Sequence, residues 1–279
     1  MVSQGSFDDQ PTDEELIMRH IVDQVHAHMP YHLLPRHLDR ILQERLNLEI
    51  YFHHWVLDDL DKRQCRDTAK RLTEAGLKIT FHAPFLDLRP GALDEKIRRA
   101  CVDRLKEAFD LAPYFHPLKI VCHAGFDERY YVFGEDLWLE SSIKTWEELL
   151  VPAENYGTLI ALENTYEQSP EMLRRLFDAL DSERVCFCLD VGHFNVYSYE
   201  PLSRWLDRLG PYLRHLHLHD NFGRQDEHLP VGKGTFPFAE LFAMLKRKKI
   251  KPTVTLEAHK PEHLWHSIRN IDSLGLLDV

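Results

Sequence analysis

The stretch from His215 to Gly234, HLHLHDNFGRQDEHLPVGKG, is rich in side chains that bind metal ions. It holds four histidines and three acidic residues within twenty positions and contains no cysteine. Imidazole nitrogens and carboxylate oxygens without a nearby thiolate favour zinc, manganese or iron over calcium or magnesium. The stretch therefore raises the hypothesis of a transition-metal centre, and the rest of the chain must supply its remaining ligands.

Short apolar runs alternate with helical or loop segments along the chain. One such helix is predicted between Leu93 and Leu111, where Ile97, Cys101 and Leu105 recur on one face. Eight candidate strands can be picked out: IVDQVHAHM, NLEIYF, KITFHA, LKIVCHA, TLIALEN, VCFCLDV, LRHLHLHD and TVTLEA. Eight strand-then-helix units in 279 residues predict an α/β fold, a single (β/α)8 TIM barrel. Residues 1–15 are expected to form a polar, flexible lead-in, and residues 16–279 the catalytic barrel.

Composition limits the function classes. The first residues lack a basic start followed by an apolar run, and no later stretch is long and apolar enough to cross a membrane. A cytoplasmic protein without a membrane partner is expected, and five cysteines without a CxxC motif suit a reducing compartment. The formal net charge of −11 argues against a broad nucleic-acid-binding surface.

The predicted barrel supplies a geometric test, because strand side chains alternate between its interior and the helix layer, and functional residues gather at the strands' C-terminal ends. Five strands place an inward acid or histidine at that end: His82, His123, Glu163, Asp190 and Glu257. Each alone could be a hydrogen-bonded structural residue or a helix cap. Together at one rim they would repel one another or be poorly solvated unless cations neutralised them, which favours a metal site.

The three histidines of HLHLH follow the period of a strand, so all three are expected to face inward. His217 lies at the depth of the other strand-end residues. His215 lies one step deeper and is interpreted as an interior histidine, whereas His219 lies one step higher and is a candidate substrate contact. Asp226 and His228, two residues apart in the following loop, are placed to grip one cation.

In combination, these motifs resemble those of the endonuclease IV and xylose isomerase-like TIM-barrel superfamily, also called AP endonuclease family 2. The resemblance runs from about His82 to Glu257 and rests on FHAPF, VCHAGF, LENT, CLDVGH, HLHD, DEHLPVGKG and TLEA. It implies nine metal ligands: His82, His123, Glu163, Asp190, His193, His217, Asp226, His228 and Glu257.

The resemblance also implies how these ligands are shared among up to three divalent ions, zinc being favoured over manganese or iron. The first ion would be held by His82, His123 and Glu163. Glu163 would bridge to a second ion held by Asp190, His217 and Glu257. The third ion would be held by His193, Asp226 and His228.

Such a cluster suits the hydrolysis of a phosphate ester or phosphodiester. Hydroxide held between two ions would attack phosphorus, a third ion would neutralise the departing oxygen, and Glu163 and Glu257 would be catalytic. Phe85 is a candidate for stacking on a substrate ring, with rim packing as the alternative. Lys233, in the GKG turn, is a candidate phosphate contact, although it could equally be a solvated surface charge.

Departures from endonuclease IV concern the substrate. That enzyme uses arginine-bearing loops to bend DNA, whereas here the corresponding regions read VHAHMPYHLLPRHLDR and YFHHWVLDD, the second acidic and aromatic. A nucleic acid is therefore not favoured, and a small phosphorylated or sugar-like substrate is expected.

A second hypothesis is a sugar or sugar-phosphate isomerase or epimerase, which the DVGH and HLHDN motifs also resemble. It would use one metal held by Glu163, Asp190, His217 and Glu257, with the two glutamates moving protons at carbon. This hypothesis leaves His82, His123, Asp226 and His228 for sugar hydroxyls. A non-catalytic metal-binding barrel is the third hypothesis and does not account for the open rim. Counting ligands favours the hydrolase.

Overall fold

The structure is a computed structural model and describes residues 19–277. The expected lead-in of residues 1–15 and its boundary at residue 16 lie outside the described residues.

Eight parallel strands close into a barrel in chain order, and the last strand pairs with the first. The strands are β1 Val25–Pro30, β2 Asn47–Tyr51, β3 Ile79–His82, β4 Lys119–His123, β5 Leu159–Glu163, β6 Val185–Asp190, β7 Leu213–Leu218 and β8 Thr253–Leu256. The predicted (β/α)8 TIM barrel is confirmed.

Helices surround the barrel and follow its strands. They are α1 Leu34–Glu44, α2 His54–Asp58, α3 Lys62–Glu74, α4 Glu95–Phe109, α5 Ala112–Phe115, α6 Glu135–Tyr156, α7 Glu171–Leu180, α8 Val191–Tyr197, α9 Leu202–Leu209, α10 Phe238–Lys248 and α11 Pro261–Ser273. Across residues 19–277, none of the helices has the length and apolar character needed to cross a membrane.

Alternation along the strands separates the core from the site. In β2, Leu48 and Ile50 are fully buried in the main apolar core, so the residue between them, Glu49, points into the barrel. The same alternation acts in the other strands, and the register then aligns their ends: Asp190 of β6 lies beside His217 of β7. The fold thus gathers inward polar residues from separate strands into one interior column.

Two local predictions need correction. The first candidate strand was expected to start at Ile21, but β1 starts at Val25 because Ile21 is buried as part of a helical turn that precedes it. An apolar run alone does not distinguish the two. In α4, Ile97 is 52% exposed, whereas Arg98 is buried and pairs with carboxylates of its own helix and of α6. The rest of the expected stripe is confirmed, since Cys101, Leu105 and Phe109 are buried, and only at its first position does the ion-paired Arg98 turn inward in place of Ile97.

Candidate metal centre

A cleft of about 640 Å³ opens at the C-terminal ends of the strands, and its walls include most of the predicted ligands. This is the end of a TIM barrel at which active sites are built. The volume is in the range of sites that bind small molecules.

His82, His123 and Glu163 form a first group of donors. Glu163 Oε2 lies 3.2 Å from His82 Nε2 and 3.4 Å from His123 Nε2. His82 Nδ1 donates to the carbonyl oxygen of Ala83 at 2.8 Å, which leaves Nε2 as the ring atom available to a metal. The donor atoms of the three residues lie within 4.8 Å of one another, so one cation could contact all three.

Glu163, Asp190, His217 and Glu257 form a second group. His217 Nδ1 lies 3.4 Å from Glu163 Oε1, 3.6 Å from Asp190 Oδ2 and 3.2 Å from Glu257 Oε1. Glu163 therefore turns one oxygen toward each group. Each of its oxygens could therefore contact a different cation.

The third group centres on Asp226. Its Oδ2 lies 3.0 Å from His228 Nε2 and 3.3 Å from His193 Nε2, and its Oδ1 lies 3.5 Å from His219 Nδ1. His219 stacks on His228 with ring centroids 3.9 Å apart and places Nε2 3.1 Å from both oxygens of Asp190. The structure therefore brings His219, as well as the predicted His193, against Asp226.

The candidate substrate contacts occupy different positions. His219 is buried and is absent from the described residues that line the cleft, which is not the position expected of a substrate contact. Lys233 is exposed and does not line the cleft either. Phe85 does line the cleft, but its ring stacks on His123 at 4.4 Å and on Tyr51 at 5.4 Å, so it also packs the rim.

Asn164 and Gly192 help to position the residues of the second and third groups. The amide of Asn164 donates to Asp190 O at 3.0 Å and accepts from Asp190 N at 2.9 Å, which ties the end of β5 to the end of β6. A side chain at Gly192 would overlap the His219 ring, so the glycine of CLDVGH leaves room for that ring. Motif residues that bind nothing themselves thus position those that do.

Asp220 fastens the loop that carries Asp226 and His228. Its carboxylate accepts hydrogen bonds from the backbone N–H groups of Asn221 at 2.9 Å, Gly234 at 2.7 Å and Phe236 at 3.1 Å. The start and end of the loop are therefore joined through one side chain.

Several buried polar atoms of the site have no hydrogen-bond partner in the described part of the protein, and a metal ion could contact them. Within residues 19–277, the buried atoms without a hydrogen-bond partner include Glu163 Oε1, His217 Nδ1, His219 Nδ1 and Asp226 Oδ1. Burying such atoms without a partner is costly, and a cation contacting them would offset that cost. A set of imidazole nitrogens and carboxylate oxygens fits zinc, manganese or ferrous iron.

The electrostatics of the cluster are those of opposed charges packed closely. Burial by itself would raise the pKa of Glu163, but the neighbouring His123 and His217 hold that pKa well below its usual value. Burial would lower the pKa of His228, yet its hydrogen bond to Asp226 raises it to about 9. A proton on His228 therefore balances the carboxylate of Asp226, and a metal ion would displace that proton on binding.

The sequence interpretation missed three residues of this site. Glu49 is completely buried beneath His217, and His28 and Tyr51 line the cleft. The alternation rule could have identified them, because in NLEIYF and VHAHMP the flanking apolar residues already point outward.

Fold and site together define a class, a TIM barrel with a cluster of potential metal ligands at its C-terminal mouth. Residues 48–273 match the family model described as xylose isomerase-like TIM barrel, and the chain belongs to this family. The family is also the one that the sequence motifs resemble.

Individual relatives carry several activities in their names. Fructoselysine 3-epimerase of Escherichia coli O157:H7 is 31% identical over 157 residues, or 53% of this chain and 55% of the relative. A probable endonuclease 4 of Mycoplasma mobile is 25% identical over 192 residues, or 62% and 65% of the two chains. The match thus spans less than two thirds of each of these two curated relatives.

Solved structures cover the chain more completely. A Thermus thermophilus protein soaked with ZnCl2 has a TM-score of 0.74 and 26% identity, with 90% of this chain and 97% of the other covered. A D-tagatose 3-epimerase-like protein has a TM-score of 0.74 at 23% identity over the same shares, which supports the fold alone.

Proposed function

We propose that this chain is a divalent-metal-dependent hydrolase of a small phosphate ester or phosphodiester, with zinc the favoured ion. The observation that carries the proposal is the number and grouping of the donors. One ion held by Glu163, Asp190, His217 and Glu257 would leave a separate donor group around Asp226 unused. Three adjacent donor groups suit a phosphoryl group, whose several oxygens can be contacted from more than one side.

Divalent cations, when bound, would polarise the phosphoryl oxygens and acidify a water molecule. The chain's own residues set where this happens. Glu163, with one oxygen toward each of two groups, fixes their separation, and the acidic side chains balance the added positive charge. Phe85 and Tyr51 form an aromatic wall beside His82.

A small substrate agrees with the cleft better than a nucleic acid does. The net charge of −11 opposes binding to a polyanion, and the cleft volume is about 640 Å³. Arg89 is the arginine among the described cleft-lining residues and could pair with a phosphate at the cleft edge.

A sugar epimerase or isomerase is the second candidate. The specific observation in its favour is that Glu163 and Glu257 approach the same atom, His217 Nδ1, so one ion there would have a glutamate on either side. Paired carboxylates of this kind can remove and return a proton at carbon. The name of the E. coli relative supports this candidate as well.

Metal counting combined with two assays separates the candidates. Purified protein is stripped, reloaded with zinc or manganese and analysed for metal per chain. It is then assayed with bis(p-nitrophenyl) phosphate, p-nitrophenyl phosphate and a panel of ketoses in deuterated water. The hydrolase predicts two or three ions and phosphoester cleavage, whereas the epimerase predicts one ion and solvent deuterium at a sugar carbon.

The variant Asp226→Ala/His228→Asn tests the third group directly. Asparagine is chosen at position 228 because His228 has a φ of 48°, a left-handed conformation that asparagine tolerates. We expect loss of about one ion per chain and of most phosphoester cleavage. Lys233→Ala, an exposed change in the same loop, is the matched control. A metal content that stays at one ion in both wild type and variant would exclude the multinuclear hydrolase.

A further inference from the structure

Glu49 is a buried carboxylate that lies one layer below the ligand cluster. It is fully enclosed inside the barrel, and its Oε2 accepts hydrogen bonds from Thr80 Oγ1 at 3.0 Å, Thr255 Oγ1 at 3.0 Å and His215 Nε2 at 2.9 Å. Its other oxygen, Oε1, lies 2.9 Å from His217 Nε2, and neither of these two buried atoms has a hydrogen-bond partner elsewhere among the described residues. Glu49 therefore contacts the ring nitrogen of His217 that faces away from the cleft.

The two nitrogens of His217 face opposite neighbours. Nε2 faces Glu49, and Nδ1 faces Glu163 and Glu257, at 3.4 and 3.2 Å. An ionised carboxylate can only accept a hydrogen bond, so it favours the tautomer with its proton on Nε2. That tautomer presents a lone pair on Nδ1, the atom that a metal among Glu163, Asp190 and Glu257 would bind.

We infer that Glu49 is a positioning residue that fixes the tautomer and orientation of His217 for metal binding at Nδ1. The inference rests on the metal site proposed above but not on the reaction performed there. It gives a role to the Glu49 carboxylate, which takes no part in either the hydrolase or the epimerase mechanism.

The substitution Glu49→Gln tests the tautomer specifically. Three donors converge on Oε2, so the glutamine oxygen is expected to take that place and its NH2 group to face His217 Nε2. An NH2 group can only donate, which would move the His217 proton to Nδ1 and block the ligand atom. The side-chain shape and the contacts with Thr80, Thr255 and His215 are retained.

Thr80→Val is the matched control. It removes one of the same buried hydrogen bonds to Glu49 but leaves the carboxylate and its effect on His217. If Glu49 only supports the barrel, the two variants should behave alike. If Glu49 sets the tautomer, only Glu49→Gln should lose metal affinity.

The experiment is a Co²⁺ titration of stripped wild type, Glu49→Gln and Thr80→Val, followed by the visible absorption of the ion, with thermal melts of the metal-free proteins. We expect Co²⁺ affinity about 10- to 100-fold weaker in Glu49→Gln, with altered absorption bands, and a near wild-type affinity in Thr80→Val. Equal affinities and spectra in all three proteins would overturn the inference. If wild type binds no Co²⁺, the proposed metal site fails as well.

A measurement on wild type keeps the inference testable if Glu49→Gln does not fold. Nitrogen-15 NMR of the zinc-loaded protein, with His217 identified by its loss in His217→Asn, reports which ring nitrogen is protonated. We expect a proton on Nε2 and zinc on Nδ1. The opposite arrangement would overturn the inference. In the Co²⁺ titration, a cobalt–thiolate charge-transfer band would also overturn the inference, because it would place the ion against Cys188, beside His215 and His217.

Discussion

Glu163 is the side chain on which the ligand groups depend most. His82 and His123 approach its Oε2 at 3.2 and 3.4 Å, while His193 and His217 approach its Oε1 at 3.3 and 3.4 Å. Four imidazoles around one carboxylate explain why its pKa is held well below the usual value in spite of complete burial. Removing its charge should therefore disturb more than one donor group.

Glu163→Gln and Glu257→Gln are each expected to abolish turnover, because each change removes a ligand and a negative charge from the centre. Activity on the identified substrate should fall by at least about two orders of magnitude. Metal analysis should also show that Glu163→Gln loses more metal per chain than Glu257→Gln does. Glu147→Gln, at an exposed position of α6, is the control. Wild-type turnover in either ligand variant would contradict a metal-centred mechanism.

At the scale of elements, the loop after β7 is held as a closed unit. Asp220 binds both ends of the loop, and the amide of Asn221 donates to Gly192 O at 2.9 Å, in the segment after β6. The loop therefore moves with two strand ends, which explains how irregular backbone can present Asp226 and His228 in a defined position.

Gly234→Ala is expected to displace this loop while the barrel stays folded. A methyl group at Gly234 would overlap Asn221 O and Asp220 Oδ1, so the backbone must shift there. Overpacking of this kind costs about 1–3 kcal/mol. We expect a modest loss of thermal stability and the loss of metal from the Asp226 group, measured by melting and elemental analysis. A full metal content would show that the loop tolerates the shift, and Lys233→Ala should leave both quantities unchanged.

At the scale of the whole molecule, the sequence predicts the barrel and the strand-end donors for one reason. Period-two alternation and the ordering of parallel strands are local rules, so His82, His123 and Glu163 can be placed together without coordinates. The position of His219 beside Asp226 could not be predicted, because it depends on the path of a loop closed through Asp220. The buried Arg98 likewise depends on a carboxylate of α6, which is distant in sequence.

Glu167 links the stability of the molecule to pH. It is buried in the loop after β5, where Phe126 N and Thr165 N donate to its carboxyl group. Burial raises the pKa of Glu167 to about 7, and the backbone hydrogen bonds only partly oppose that effect. In the unfolded chain the group should titrate near the usual glutamate value, about 4.3.

The raised pKa sets the sign of the pH dependence. Between about pH 4.5 and 7, Glu167 is protonated in a larger fraction of folded molecules than of unfolded chains. The contribution of Glu167 to stability therefore falls as pH rises. The full effect is on the order of 4 kcal/mol, since the pKa rises from about 4.3 to about 7 and one pKa unit corresponds to about 1.4 kcal/mol. Above pH 7 the contribution should level off.

Glu167→Gln should remove this slope, because glutamine does not titrate. The substitution also has a cost that does not depend on pH, because the NH2 group of the glutamine must face a backbone N–H donor. The informative quantity is therefore how the difference in unfolding free energy between variant and wild type changes with pH. Urea unfolding of wild type and Glu167→Gln at pH 5, 6, 7 and 8 measures it, and the histidine titrations common to both proteins cancel. We expect the unfolding free energy of the variant, relative to that of wild type, to increase by up to about 3 kcal/mol between pH 5 and 8. Parallel stability curves would mean that Glu167 is ionised throughout this range in the folded protein.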